Sequence, residues 1–140
     1  MALTARFLID TSAAARMQHP HVGGVLGELI EAGLVATTAA LDAEALYSAR
    51  SADEFARLRD DRRKAFEYIP TNDEDWQSAI DAQYNLALSG RHRSVGVADL
   101  LNAVIAGRHG LTILHYDRDF DTAADVLEFG HRWVAERGTL

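Results

Sequence analysis

The sequence predicts an α/β protein with a central, mainly parallel sheet of four to five strands covered by helices on both faces. Short apolar runs typical of buried strands alternate with longer helical stretches. The connections between them are short, and no repeat, linker or low-complexity segment interrupts the alternation. At 140 residues the chain is expected to form a single domain over residues 1–140 with its own core.

The strands are predicted from apolar runs that end at a polar residue or at proline. Asp10 follows the first of these runs, Pro70 stops the third, and Asp117 lies just beyond the fourth. The strand candidates are Phe7–Ile9, Leu34–Thr37, Glu67–Ile69, Leu111–His115 and a last, peripheral strand ending at Trp133-Val134.

The helices are predicted from capping residues followed by helical spacing of apolar residues. Thr11 and Ser12 are suited to cap a helix after the first strand, and Pro20 suits the first turn of the next one. Further N-terminal signals stand before three more helices, at Thr38, Ser51 and Asn72. The remaining predictions are a C-cap at Gly90, an apolar helix over Leu100–Ala106, and a helix over Phe120–Leu127.

Composition excludes some classes of function but does not identify one. The net charge of −7 argues against a nucleic-acid partner, but an acidic metal site contributes negative charge that a bound cation neutralises. Arginines cluster at 57–63 and at 91–93, where a solvated helix face and a phosphate-contacting rim are equally good interpretations. The absence of cysteine excludes disulfides and zinc-thiolate sites, and no signal peptide or membrane helix is expected from the start of the chain.

Four acidic residues occupy positions where a carboxylate is costly to bury. Asp10 and Asp117 follow strands, whereas Glu44 and Asp99 lie on helices rich in Ala and Leu. Parallel sheets bind ligands beyond the carboxyl ends of their strands, so the four are expected to converge at one edge if the first and fourth strands are neighbours. Converging carboxylates indicate a divalent metal site.

Each acid also has a simpler interpretation. Taken alone, Asp10 is also typical of a helix cap, Asp99 of an acid that pairs with a helix dipole, and Asp117 of a loop or capping residue. Glu44 competes with Asp42, although an offset of two residues places them on different sides of a helix. A histidine just before a strand end is usually structural, and we interpret His115 in this way.

Four segments resemble VapC-type toxins of the PIN-domain family, in the family's order and over nearly the whole chain. They are Leu8–Ala13, Glu44 with Tyr47–Arg50, Val97–Leu101 and His115–Phe120. The resemblance implies a three-layer α/β/α PIN-like fold and an endoribonuclease dependent on Mg²⁺ or Mn²⁺. It also implies a cognate VapB-type antitoxin, a homodimer, an RNA substrate and a cytoplasmic location, with no membrane association.

By position, Asp10, Glu44, Asp99 and Asp117 match the family's acidic residues. Asp119 matches a frequent second acid of the last motif, so the choice between Asp117 and Asp119 stays open, as does one metal against two. Ser12 matches a hydroxyl that supports the first aspartate. Glu44 would bind a second metal or help to deprotonate the attacking water. Arg91, Arg93 and Arg118 are candidates for RNA contact.

Other readings are weaker. A receiver-like domain needs a lysine after its last strand, and Lys64 lies elsewhere; a dehalogenase-type phosphatase needs an acid where Ser12 stands. An adhesion-type metal site is broken by Ala14. The remaining alternative is a PIN-like domain without catalytic activity that acts as an RNA- or protein-binding partner. For the antitoxin, Val22–Leu34 and Leu41–Phe66 are predicted to form a helix-binding groove.

Overall fold

The computed structural model describes residues 3–140. Met1 and Ala2, which begin the segment for which no signal peptide is expected, lie outside the described residues. Residues 3–140 form five strands and seven helices. The strands are β1 (Phe7–Ile9), β2 (Val35–Thr37), β3 (Glu67–Tyr68), β4 (Thr112–His115) and β5 (Gly130–Trp133). The helices are α1 (Thr11–Ala14), α2 (Pro20–Glu31), α3 (Ala39–Tyr47), α4 (Ala52–Ala65), α5 (Asp73–Ala87), α6 (Val97–His109) and α7 (Asp119–Ala123).

The sheet has the strand order β3-β2-β1-β4-β5, and every neighbouring pair is parallel. The chain leaves β1 towards β2 on one side and later returns to β4 on the other, so the strand order reverses between β1 and β4. The condition for convergence of the acids, that the first and fourth strands are neighbours, is therefore met. Their carboxyl ends, which carry Asp10 and Asp117, lie side by side.

Two apolar clusters fill the spaces on the two faces of the sheet, which gives the three-layer α/β/α architecture that the sequence predicts. Alternation along the strands sorts the side chains: Leu8 and Ile113 belong to the larger cluster, whereas Leu114 belongs to the smaller one. The larger cluster is built mainly with α5 and α6, and the smaller one with α1 and α2. Within residues 3–140, none of the helices combines the length and the apolar character needed to span a membrane.

Several helix boundaries follow the predicted caps, and others differ. The C-cap of α5 is Leu88 rather than the predicted Gly90. Thr38, Ser51 and Asn72 each accept a hydrogen bond from a backbone amide of the first turn, as predicted. The cap of α1 is Asp10 rather than Thr11 or Ser12, because its carboxylate accepts from the Ser12 amide. The helix predicted to reach Leu127 ends at Ala123, and the next residues form turns.

An ion pair between a buried carboxylate and an exposed arginine fixes α5 against α6. Asp75, which is inaccessible to solvent, completes a capping box with Asn72 and accepts two bonds of 2.8 Å from the Arg108 guanidinium. The same arginine donates to the Pro70 carbonyl. This pair orients α6, the helix whose first turn carries Asp99.

Candidate metal and active site

Asp10 is held in place at the end of β1. It is 4% exposed, and its Oδ2 accepts hydrogen bonds from the Ser12 amide at 3.0 Å and from the Ser12 Oγ at 2.6 Å. The Ser12 Oγ in turn accepts from the Tyr116 amide at 2.9 Å. One hydroxyl thus links the ends of β1 and β4 and orients the Asp10 carboxylate.

Three further carboxylates converge from α6 and from the segment after β4. Asp99, Asp117 and Asp119 each place one oxygen within 4.8 Å of the others. The Asp119 amide donates to Asp117 Oδ1 at 2.9 Å, so these two acids form one local turn. The structure therefore brings both Asp117 and Asp119 to the group, although the sequence left open which of them belongs there.

Glu44 approaches the group from α3. Its Oε2 accepts a hydrogen bond of 3.0 Å from the hydroxyl of Thr11, the residue after Asp10. Its competitor Asp42 lies on another side of the helix, where it accepts from Thr37 and pairs with Arg62 at 2.9 Å. Glu44 and Asp42 thus face different sides of α3, and Glu44 is the one that faces the acidic group.

The acids act on one another electrostatically. The pKa of Asp99 rises from its ordinary 3.8 to about 7, first because the group is buried and then because of four neighbouring carboxylates. In decreasing order these neighbours are Asp10, Asp117, Glu44 and Asp119. The pKa of Asp119 is also raised, mainly by burial and by Asp117, against a lowering contribution from Arg118. Five acids therefore share one electrostatic environment at this edge of the sheet.

This donor set fits a hard divalent cation. It offers carboxylate oxygens, which Mg²⁺ and Mn²⁺ prefer, and it contains no thiolate. Burial raises the pKa of Asp99 first, and repulsion from the four neighbouring carboxylates raises it further. A cation bound to Asp99, Asp117 and Asp119 would remove that repulsion.

The three arginines predicted for RNA contact differ in their surroundings. Arg91 pairs with Asp125 at 2.8 Å and also donates to Ser89, so its guanidinium is already engaged. Arg118 directly precedes α7, and its charge acts on Asp119 at the edge of the acidic group. Arg93 lies on the exposed loop between α5 and α6. Arg118 is thus the one that the described contacts bring to the site.

A histidine pair next to the acids was not predicted. His115 is completely buried, and its Nε2 lies 3.0 Å from Nδ1 of His131. Burial, with a smaller contribution from His131, lowers the pKa of His115 to about 4, so its ring is neutral near pH 7. The pair depends on the register of β4 against β5, in which Ile113 lies opposite His131. Spacing along the sequence gives no signal for such a contact.

Two other contacts at the site were missed. The sequence predicts Thr11 only as a helix cap, whereas its hydroxyl donates a hydrogen bond to Glu44. The position of Thr11 beside Asp10 is the signal that could have indicated this contact. The buried Asn102, one helical turn after Asp99, accepts a hydrogen bond of 2.8 Å from the Thr38 hydroxyl. This bond holds the start of α3, and with it Glu44, against α6.

Comparison with known proteins agrees with the fold. Residues 7–126 match the PIN domain family. Ribonuclease VapC21 of Mycobacterium tuberculosis is 40% identical over 137 residues, covering 98% of this chain and 99% of that protein. Ribonuclease VapC51 of the same organism is 37% identical over 135 residues, covering 96% and 97%.

The chain therefore belongs to the PIN-domain family. Within that family its relatives at this level of identity are VapC proteins. The solved structure of DNA-bound VapBC from Salmonella typhimurium has the same fold, with a TM-score of 0.72 at 14% identity, covering 94% of this chain and 99% of that one.

Proposed function

We propose that this chain is a VapC-type toxin, an endoribonuclease that hydrolyses phosphodiester bonds in RNA and thereby inhibits translation and growth. The observation that best supports this is the convergence of Asp10, Glu44, Asp99, Asp117 and Asp119 at the carboxyl edge of the sheet. The relatives VapC21 and VapC51 are named ribonucleases, which supports the same reaction class. We further propose that residues 1–140 act as one nuclease domain.

The proposed roles follow from the positions of the side chains. Asp10, Asp99, Asp117 and Asp119 would hold Mg²⁺ or Mn²⁺, and Ser12 would keep the Asp10 carboxylate in the orientation that binds it. When bound, the ion supplies positive charge for the scissile phosphate and lowers the pKa of a water molecule. In this proposal Glu44, which accepts a hydrogen bond from Thr11, takes the proton of the attacking water. Arg118, Arg91 and Arg93 would contact the RNA backbone.

A PIN-like domain that has lost activity and serves only as a binding partner is not favoured. Such a domain has no need to bury several carboxylates together, because their repulsion destabilises the fold. Here every acid that the resemblance implies is present. Asp99 keeps a pKa of about 7 as the consequence of that arrangement.

Removal of metal is expected to stop the reaction. Purified protein incubated with total RNA should produce discrete new 5′ ends in Mg²⁺ or Mn²⁺ and none in excess EDTA, because Asp99 and its neighbours act through the cation. Sequencing of the new 5′ ends identifies the target RNA in the same experiment. Equal cleavage with and without EDTA would contradict metal dependence, and absence of cleavage under all conditions would favour the inactive alternative.

A groove on the opposite side of α3 suits the proposed VapB-type antitoxin. Its volume is about 540 Å³, and it lies between α3, α4 and the end of β3. A smaller depression extends from it to Ile30 of α2, so both segments predicted for the antitoxin contribute. Phe55, Leu46 and Phe66 provide apolar surface, while Arg59 and Arg63 stand at the rim. We propose that an antitoxin segment with an apolar anchor and acidic flanking residues binds here.

Reversing the charge of this rim is expected to weaken binding of the antitoxin. The double variant Arg59→Glu, Arg63→Glu should lower affinity by about tenfold or more, because acidic flanking residues would then be repelled. Calorimetry with the purified antitoxin measures the change, and RNA cleavage by the free toxin should stay as in the wild type. Arg57→Glu, on the same helix but outside the groove, is the matched control. Unchanged affinity of the double variant would exclude this groove.

A second copy of the chain has a separate candidate surface. Trp76, Ile80 and Tyr84 of α5 and its C-cap residue Leu88 stand four residues apart along one side of the helix and are 44%, 51%, 65% and 70% exposed. Apolar stripes of this size on a helix indicate a protein interface. We propose that this stripe forms the homodimer contact, and that the protein acts in the cytoplasm, where its RNA substrate and antitoxin are found.

A further inference from the structure

The buried imidazole of His115 lies directly behind the proposed metal ligands. It is the last residue of β4, two residues before Asp117, and it is completely inaccessible to solvent. Its ring is fixed by aromatic neighbours: the ring centroids of Phe120 and Trp133 lie 4.7 and 5.1 Å away. The ring therefore has one well-defined position, and each of its nitrogens faces a specific partner.

The hydrogen bonds of the ring define its tautomer. Nδ1 accepts from the Asp117 backbone amide at 3.2 Å, so Nδ1 carries no proton. The proton of the neutral ring is then on Nε2, which donates to Nδ1 of His131 at 3.0 Å. His131 is thereby the residue that accepts this proton. Both ring nitrogens of His115 are therefore hydrogen-bonded. The two bonds run in one direction: the Asp117 amide donates to His115, and His115 donates to His131.

A metal ion bound by the two histidines does not fit this arrangement. His115, His131 and Asp121 do place ligand atoms within 4.8 Å of one another. A cation on Nε2 of His115, however, would require the ring proton on Nδ1, where it would face the N–H of Asp117. The Asp117 amide thus favours a hydrogen-bonded pair over a metal centre.

We propose that His115 is a positioning residue for the acidic site and that His131 fixes its tautomer. By accepting from the Asp117 amide, His115 holds the backbone at the start of the turn in which the Asp119 amide donates to Asp117 Oδ1. That turn sets the separation of the two carboxylates from each other and from Asp99. This inference rests on the proposed function, because it concerns the affinity of Asp117 and Asp119 for the catalytic cation.

The experiment compares two replacements of His115. Phe keeps the size and planarity of the ring but removes the acceptor, whereas Asn keeps an acceptor close to the position of Nδ1. His115→Phe is expected to weaken Mn²⁺ binding by about tenfold, measured by electron paramagnetic resonance of free Mn²⁺. His115→Asn should restore most of that loss. RNA cleavage should change in the same order, through kcat more than KM.

Controls separate positioning from loss of stability. Leu26→Ala truncates the core on the other face of the sheet and should leave Mn²⁺ affinity unchanged although the fold is destabilised. His131→Phe keeps His115 Nδ1 as the acceptor for the Asp117 amide but no longer holds the His115 ring in one tautomer. Its Mn²⁺ affinity should therefore fall between those of the wild type and His115→Phe. A long-range ¹H–¹⁵N spectrum of the wild type should show an unprotonated Nδ1 on His115.

The outcomes are distinct. Wild-type Mn²⁺ affinity in His115→Phe, or a proton on Nδ1 of His115 in the wild-type spectrum, would overturn the positioning role and leave the proposed function intact. An equal loss in His115→Phe and Leu26→Ala would also overturn it, because a general loss of stability would then explain the effect. Failure of the wild type itself to bind Mn²⁺ would overturn the proposed metal site and this inference together.

Discussion

Replacing Asp99 with Asn is expected to reduce RNA cleavage by about a thousandfold or more, equivalent to about 4 kcal/mol of transition-state stabilisation. The substitution preserves the shape of the side chain but removes a negative charge from the centre of the acidic group, where four other carboxylates act on it. Cation binding at Asp117 and Asp119 then loses its nearest partner. Single-turnover cleavage of a defined RNA in saturating Mg²⁺ measures the effect.

Asp10→Asn is expected to have a comparable effect, because Ser12 holds that carboxylate at the same edge of the sheet. Asp81→Asn, which changes an exposed carboxylate on α5, is the control for the loss of one charge and should cleave RNA at the wild-type rate. Circular dichroism of each variant checks that the fold is retained. Cleavage by Asp99→Asn at the wild-type rate, with matched folding and metal, would show that the proposed site is wrong.

Local sequence features were sufficient for most of the fold. The runs Phe7–Ile9 and Leu111–His115 are apolar enough to identify buried strands, and the polar residues after them mark the carboxyl edge. The alternation of strands and helices then restricts the connections to parallel ones. Asp10 could be located at the site edge for the same reason. The pairing of the first and fourth strands, which the sequence gives only as a condition, comes from the structure.

The arrangement within the site depended on side-chain geometry that the sequence does not specify. Asp117 and Asp119 remained alternatives because only the turn formed by the Asp119 amide and Asp117 Oδ1 shows that both carboxylates face Asp99. The contact between His115 and His131 requires the register of β5, a short and partly exposed strand with a weak sequence signal. Contacts between distant segments, rather than local pattern, decide these positions.

The burial of Asp99, together with repulsion from four neighbouring carboxylates, is expected to make the metal-free protein less stable as the pH rises. The folded protein holds the Asp99 proton up to a pKa of about 7, whereas the unfolded chain releases it near the ordinary value of 3.8. Between these two values the folded state binds more protons, so the contribution of Asp99 to stability is present below pH 4 and is lost as the pH passes 7. The loss amounts to at most about 4 kcal/mol.

Asp99→Asn removes this titration, so in EDTA the variant should be more stable than the wild type at pH 8 and nearly equal to it at pH 4. Urea unfolding at both pH values measures the difference in the free energy of unfolding.

A divalent cation should reverse the order of stability of the two proteins. Mn²⁺ should stabilise the wild type much more at pH 8 than at pH 5, because protons compete for the same carboxylates. It should stabilise Asp99→Asn little at either pH. If the wild type and Asp99→Asn lost the same free energy between pH 4 and pH 8 in EDTA, the burial of Asp99 among four other charges would not govern the stability of this edge. Metal binding would then need a different energetic basis from the relief of carboxylate repulsion.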